Sequence, residues 1–108
     1  MGVSSRIGGC ATWEHGGMTD WMIEYVYDDR ADERDRLRPE HRAHLAALAE
    51  QGSMPAYGRF DDEGAAGALL IGRAETLDEV EAMLDTDPFY VAGLVAERRI
   101  RRWPAVWA

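Results

Sequence analysis

The 108-residue chain predicts a single α+β domain, a ferredoxin-like split βαβ plait in which helices cover one face of an antiparallel sheet. Three observations carry that expectation. Trp21 to Tyr27 alternates, with Trp21, Ile23, Tyr25 and Tyr27 on one side and Met22, Glu24 and Val26 on the other, the period of a strand. Leu37, His41, His44, Leu45 and Leu48 recur at steps of three and four, the period of one helix face. Thr76-Leu77-Asp78-Glu79 is a capping box: the Thr hydroxyl takes an orphan N–H and the Glu reaches back.

Taken in order, residues 1–19 hold a Gly-rich, aperiodic stretch, read as a flexible leader, and the domain spans residues 20–108. The first strand is Trp21–Tyr27. Asp28–Asp35 is expected as a charged connection with room for one helical turn. The first long helix runs from about Arg38 to Gln51, with Pro39 in its first turn, where a missing N–H goes unused, and Gly52 as its stop. Ser53–Phe60 is a second strand that Pro55 confines to an edge. Asp61–Gly64 turns into a third strand, Ala68–Ala74. The capped helix follows, burying Leu77, Val80, Met83 and Leu84. Asp87-Pro88 caps and starts a short helix that ends at Gly93. Val95–Trp103 is the last strand, and an apolar tail closes the chain. Such a plait leaves one sheet face bare, here with Tyr, Trp, Met and Leu side chains, so two sheets are expected to pair face to face as a homodimer.

Composition removes several functions. A formal net charge of −8 lacks the basic footprint of a nucleic-acid binder. All twelve basic residues are arginine, which excludes a lysine Schiff base. Cys10 is the single cysteine, so it cannot form an internal disulfide. No apolar run reaches the roughly 18 residues of a membrane span, and no basic-then-apolar signal opens the chain, which makes the cytoplasm the expected location and excludes a membrane partner. There is no phosphate loop, no dinucleotide fingerprint and no nucleophile elbow, so no cofactor is expected.

The residue that does not fit its stripe is His41, an imidazole among core-facing leucines. A carboxylate beside it would hold its tautomer and make an acid/base group, and Asp87 is the candidate. The bland alternative is a satisfied core histidine with Asp87 as a helix cap only; residues alone leave both open. His41 and His44 could reach one metal, but a third ligand is missing and no metal is expected. Arg98, Arg99, Arg101 and Arg102 alternate faces on a strand and are read as surface charge pairs, one of them able to reach an anionic group across a dimer interface. Gly58 and Gly72 inside strands point to bulges or close approaches.

Arg38-Pro39-Glu40-His41-Arg42-Ala43-His44-Leu45, Gly58, Ala68–Ile71, Asp87–Leu94 and Ile100–Trp103 run in the order and spacing of the YciI-like (YCII-related domain) family, which the chain resembles from about Met22 to Trp107. The resemblance implies a dimeric α+β barrel and a site built on a His and an Asp, here His41 and Asp87. A dehydrochlorinase of a chlorinated hydroxyhydroquinone belongs to that family and small-ring lactone isomerases share the wider fold. The expectation is therefore a lyase- or isomerase-type enzyme whose His-Asp pair lies in an apolar cleft and acts on a small, cyclic or aromatic molecule. The alternative is a non-catalytic ligand-binding or sensor module of the same fold. Arg59 stands where many relatives carry proline after the glycine.

Overall fold

A computed structural model of the chain describes residues 17–108. The leader expected over residues 1–19, with Cys10 in it, lies outside the described residues except for its last three. The elements follow the expected order: β1 Thr19–Tyr27, α1 Ala31–Glu50, β2 Ala56–Arg59, β3 Gly67–Ala74, α2 Leu77–Asp85, α3 Pro88–Val91 and β4 Val95–Arg102. The strands form one antiparallel sheet in the order β2-β3-β1-β4, which makes a ferredoxin-like α+β fold. Pro55 stands just before β2, and β2 lies at the sheet edge, where a missing donor costs no ladder bond.

The alternation in β1 sets the layers. Trp21, Ile23 and Tyr25 are buried against the helices and pair across with Gly72, Leu70 and Ala68 of β3. Leu45 from α1 and Val80 and Leu84 from α2 complete the core. The tyrosines of β1 therefore face the helices, not the bare side. That side carries Met22, Glu24, Leu69, Ile71 and Arg101, because register with β1 gives them the opposite parity. Leu77, expected in the buried face of α2, is exposed, since as the first helical residue it precedes the turn that meets the sheet.

Helix α1 begins seven residues before the expected Arg38, so Pro39 is internal rather than in the first turn. A mid-helix proline forfeits a hydrogen bond and crowds the preceding turn. Contacts on the segment before it offset this cost. Arg34 is buried, donates to the Asp28 carbonyl and lies over the Tyr27 ring at 5.0 Å. The Asp28 carboxylate accepts the Arg30 N–H at 3.0 Å and so opens the helix from outside. Arg36 with Glu33 and Arg38 with Asp35 add i,i+3 pairs. The helix ends as expected, with Gly52 at φ +82°. The capping box on α2 is present in both directions: Glu79 N–H donates to Thr76 Oγ1 at 3.2 Å and Thr76 N–H donates to Glu79 Oε1 at 3.3 Å.

Neither Gly58 nor Gly72 is a bulge, but Gly72 is a close approach, where a Cβ would meet Ile23 Cδ1 at 3.1 Å. Both sit in regular register, and the irregularity in the sheet falls between Val26 and Tyr27, opposite β4. The glycine that the packing requires is Gly67, which sequence reading passed over. A Cβ there would stand 2.2 Å from the Tyr25 carbonyl oxygen, so either β1 or β3 would have to move. Gly67→Ala is therefore expected to destabilise the domain by about 1–3 kcal/mol, the usual cost of forcing extra volume into a packed site. Gly58→Ala, where a Cβ meets nothing within 4 Å, is the control expected to change stability little. Urea melts of both variants check this.

Candidate functional site

The site is assembled by Asp87. As N-cap of α3 it accepts the Phe89 backbone N–H on Oδ1 at 3.0 Å, which pins the carboxylate to the helix start. Pro88 fits because the first helical position needs no N–H. The residue has no solvent exposure, so both oxygens must find donors within the protein. His41 Nδ1 lies 2.7 Å from Oδ1, and the Tyr25 hydroxyl donates to Oδ2 at 3.1 Å. One carboxylate thus joins β1, α1 and the start of α3, and the 46 positions between His41 and Asp87 close to a hydrogen bond.

The carboxylate accepts from Nδ1, which makes that nitrogen the N–H and leaves the neutral ring's lone pair on Nε2. Packing fixes the ring plane as well. His41 stacks on Phe89 with centroids 3.9 Å apart and planes 4° apart, and Tyr27 meets Phe89 edge-on at 5.5 Å. His41 is only 8% exposed, and the ring forms part of the wall of a cleft of about 200 Å³.

That cleft departs from the apolar one expected. Tyr27, Leu45, Leu70 and Phe89 supply apolar surface, but Arg38, Arg42 and Arg59 line it too. The cause is helical period. Arg38 and Arg42 flank His41 at steps of three and one, so the face that brings the imidazole to the core also brings two guanidinium groups to the rim. Arg59 comes from the edge strand, on the face that looks toward the helices, since it pairs with Ala68 opposite Tyr25.

Other candidates lie elsewhere. His44 Nε2 is 2.9 Å from the Met83 carbonyl, a bond that holds α1 to α2 and takes the ring away from His41's partner. Among the described residues there is no group of three or more His, Cys, Asp or Glu side chains placed to hold a metal. Arg98 packs over the Tyr90 ring at 4.1 Å with Asp85 at 3.0 Å, and Arg99 approaches Glu24 and Glu97, so these two are charge pairs as expected. No helix among the described residues is long and apolar enough to cross a membrane.

Sequence reading missed Tyr25. The alternation of β1 places it on one strand side, with tyrosines expected on the bare face, whereas it is fully buried, where a phenol needs an acceptor. Burial and the Asp87 charge push the Tyr25 phenol far above its ordinary value, and the same two causes push Tyr27 up to about 12.

Comparison with known proteins adds a family and a set of structures. The model of the YCII-related domain matches residues 19–104. Protein YciI of Escherichia coli is 29% identical over 98 residues, covering 80% of this chain and all of that protein. The 5-chloro-2-hydroxyhydroquinone dehydrochlorinase of Burkholderia phenoliruptrix, in complex with 2,5-dihydroxybenzoquinone, superposes with a TM-score of 0.67 at 28% identity, covering 79% of this chain and 93% of its own. A dimeric ferredoxin-like protein of unknown function from Bacteroides fragilis superposes with a TM-score of 0.55 at 18% identity, covering 82% and 97%, a likeness of fold alone.

The raised Tyr25 group makes a prediction about alkaline stability. A phenol that stays protonated in the folded state while the unfolded chain releases its proton near pH 10 contributes stability below that pH. The contribution is lost as pH rises above about 10, because only the unfolded state then sheds the proton. Stability is expected to fall by up to about 1.4 kcal/mol per pH unit for each such tyrosine. Urea midpoints between pH 8 and 11 should therefore decline in the wild type and decline less steeply in Tyr25→Phe, after Tyr25→Phe has lost about 1–3 kcal/mol at neutral pH by leaving Oδ2 of Asp87 without a donor. Parallel slopes in the two proteins would show that Tyr25 ionises as freely folded as unfolded.

Proposed function

The chain belongs to the YCII-related domain family, and from that premise we propose that it is a small-molecule lyase- or isomerase-type enzyme with His41 as acid/base and Asp87 as the group that orients it. The observation that carries this reading is the 2.7 Å bond from His41 Nδ1 to a carboxylate with no solvent exposure, on a ring that lines a cleft. A core histidine that only filled space would need neither the buried carboxylate nor the cleft. The ring-bearing ligand of the Burkholderia dehydrochlorinase supports a small cyclic substrate here.

The chemistry follows from the tautomer. Nε2 takes a proton from a carbon acidified by a neighbouring carbonyl or hydroxyl-bearing ring position. The imidazolium so formed keeps its Nδ1–H bond to Asp87, whose charge offsets it. If the electron pair left on carbon expels a leaving group such as chloride, the net reaction is elimination of HCl. If Nε2 returns the proton to another ring atom, the net reaction is isomerisation. Asp87 moves no proton and acts by holding the ring through Nδ1. Stacking on Phe89 prevents the ring from turning away between the two transfers.

A positioned acid/base contributes typically 10²–10⁴-fold to a rate. Chloride release from 5-chloro-2-hydroxyhydroquinone, the substrate in the name of the Burkholderia relative, is the first assay. His41→Gln is expected to lower kcat/KM by about 10²–10⁴-fold, and Asp87→Asn, which keeps the shape but invites the wrong tautomer, by about 10–10³-fold. Solvent deuterium entering 2,5-dihydroxybenzoquinone at its ring C–H positions reads the same step without a leaving group. If His41→Gln matches the wild type in both assays, the cleft is a binding module and the catalytic reading is lost.

The same reading includes a homodimer through the bare sheet face. Leu69 and Trp103 are exposed there beside Met22, an apolar patch that a second copy would cover. The Bacteroides neighbour is described as dimeric. Sedimentation at micromolar concentration should give about twice the 12.1 kDa chain mass, and Leu69→Glu should shift it toward the monomer. A wild-type monomer would refute the pairing.

A further inference from the structure

The chain as a whole is acidic, with 20 Asp and Glu against 12 arginines, yet the cleft beside His41 is lined by three arginines and by no carboxylate. Uniformly spread charge would not produce that separation. Among the described residues, Arg38 is paired with Asp35, Arg59 has only Asp61 at 3.9 Å, too far for a hydrogen bond, and Arg42 has no carboxylate within ion-pair distance. Two guanidinium groups therefore face the same small cavity without a committed internal partner. One comes from the exposed flank of α1 and one from edge strand β2. The Tyr27 and Phe89 rings, Leu45 and Leu70 line the same cleft.

Cavity size narrows the occupant. About 200 Å³ is below the range of drug-sized pockets, so it holds a single substituted ring and excludes a nucleotide or a bicyclic cofactor. Guanidinium groups bind planar oxyanions through paired N–H donors, which a neutral hydroxyl or amide cannot match. We infer that the cleft selects a small cyclic oxyanion, a ring bearing a carboxylate or an ionised enol, whose charged edge is held by Arg42 and Arg59 while the ring lies against Tyr27 and Phe89 near His41. Arg42 and Arg59 are then specificity residues. They fix which edge of the ring points outward and so which ring atom lies near the imidazole. The inference rests on the proposal that this cleft is the substrate site.

The test uses benzoate as the anionic probe and benzamide as its neutral isostere, with isothermal titration calorimetry on the full chain. Benzoate is expected to bind at least tenfold more tightly than benzamide, and more weakly as salt rises, since a charge contact in an open cleft is screened. Arg42→Gln and Arg59→Gln are each expected to weaken benzoate about tenfold and to leave benzamide within twofold. Arg59→Lys should retain part of the affinity, as a point charge without the fork. Arg36→Gln removes the same charge from α1 at a position outside the cleft lining and should change benzoate less than twofold. Both cleft arginines are exposed, so circular dichroism melts of the variants should match the wild type. Equal binding of the two probes, absence of benzoate binding, or wild-type benzoate affinity in both cleft variants overturns the inference. The two readings fail separately. Arginine-dependent benzoate binding without His41-dependent turnover keeps the oxyanion cleft and removes the acid/base role, whereas His41-dependent turnover with arginine-independent binding does the reverse.

Discussion

The structure depends on keeping one carboxylate dry. Asp87 has no exposed surface and, among the described residues, no guanidinium within ion-pair distance; hydrogen bonds from a backbone N–H, an imidazole and a phenol stand in for water. A buried charge is tolerated only when every lone pair it needs is answered, and losing one partner typically costs several kcal/mol. The three donors come from α3, α1 and β1, so the requirement to satisfy Asp87 also fixes how those elements sit. Gly67 belongs to the same constraint, because a side chain there would press on the carbonyl of Tyr25, the residue that donates to Oδ2.

That arrangement makes the fold and the site hard to separate. The cap that starts α3 is the group that orients His41, and Phe89, the residue whose N–H is capped, is the ring on which His41 stacks. A helix start and a histidine tautomer are thus set by two bonds to the same oxygen, Oδ1. Local backbone geometry reaches the chemistry of the cleft through a chain of only two contacts. A region that merely supported the domain would not need its cap to carry a second, long-range bond.

What the sequence disclosed follows the range of the interactions involved. Strand β1, the capping box of α2 and the Asp87-Pro88 start are local patterns, and they appear where periodicity and capping chemistry put them. His41 was legible as a polar residue in an apolar stripe, but its bond to Asp87 spans 46 positions and came from resemblance, not from spacing. The start of α1 was missed because a proline argues locally for a helix beginning. What overrides it, Arg34 packed on Tyr27 and bonded to the Asp28 carbonyl, is tertiary. Gly67 and Tyr25 were missed for the same reason: each matters only through a partner on a neighbouring element. The cleft's arginines were visible in the sequence as charges on α1 and β2, but not as facing one cavity.

The period that builds the core side of α1 also builds the cleft wall. Positions 38, 41, 42 and 45 lie within one broad face, so a helix that inserts Leu45 and His41 into the domain carries Arg38 and Arg42 along the border between core and solvent. There the low-dielectric side strengthens their field while the open side leaves them accessible. An imidazole in the same place, held by a buried anion, would see a bound anionic ring from one side and Asp87 from the other. The guanidinium groups on the rim and the bond from His41 to the buried carboxylate lie side by side along α1. Each needs the other's geometry, and both are set by where α1 meets the start of α3.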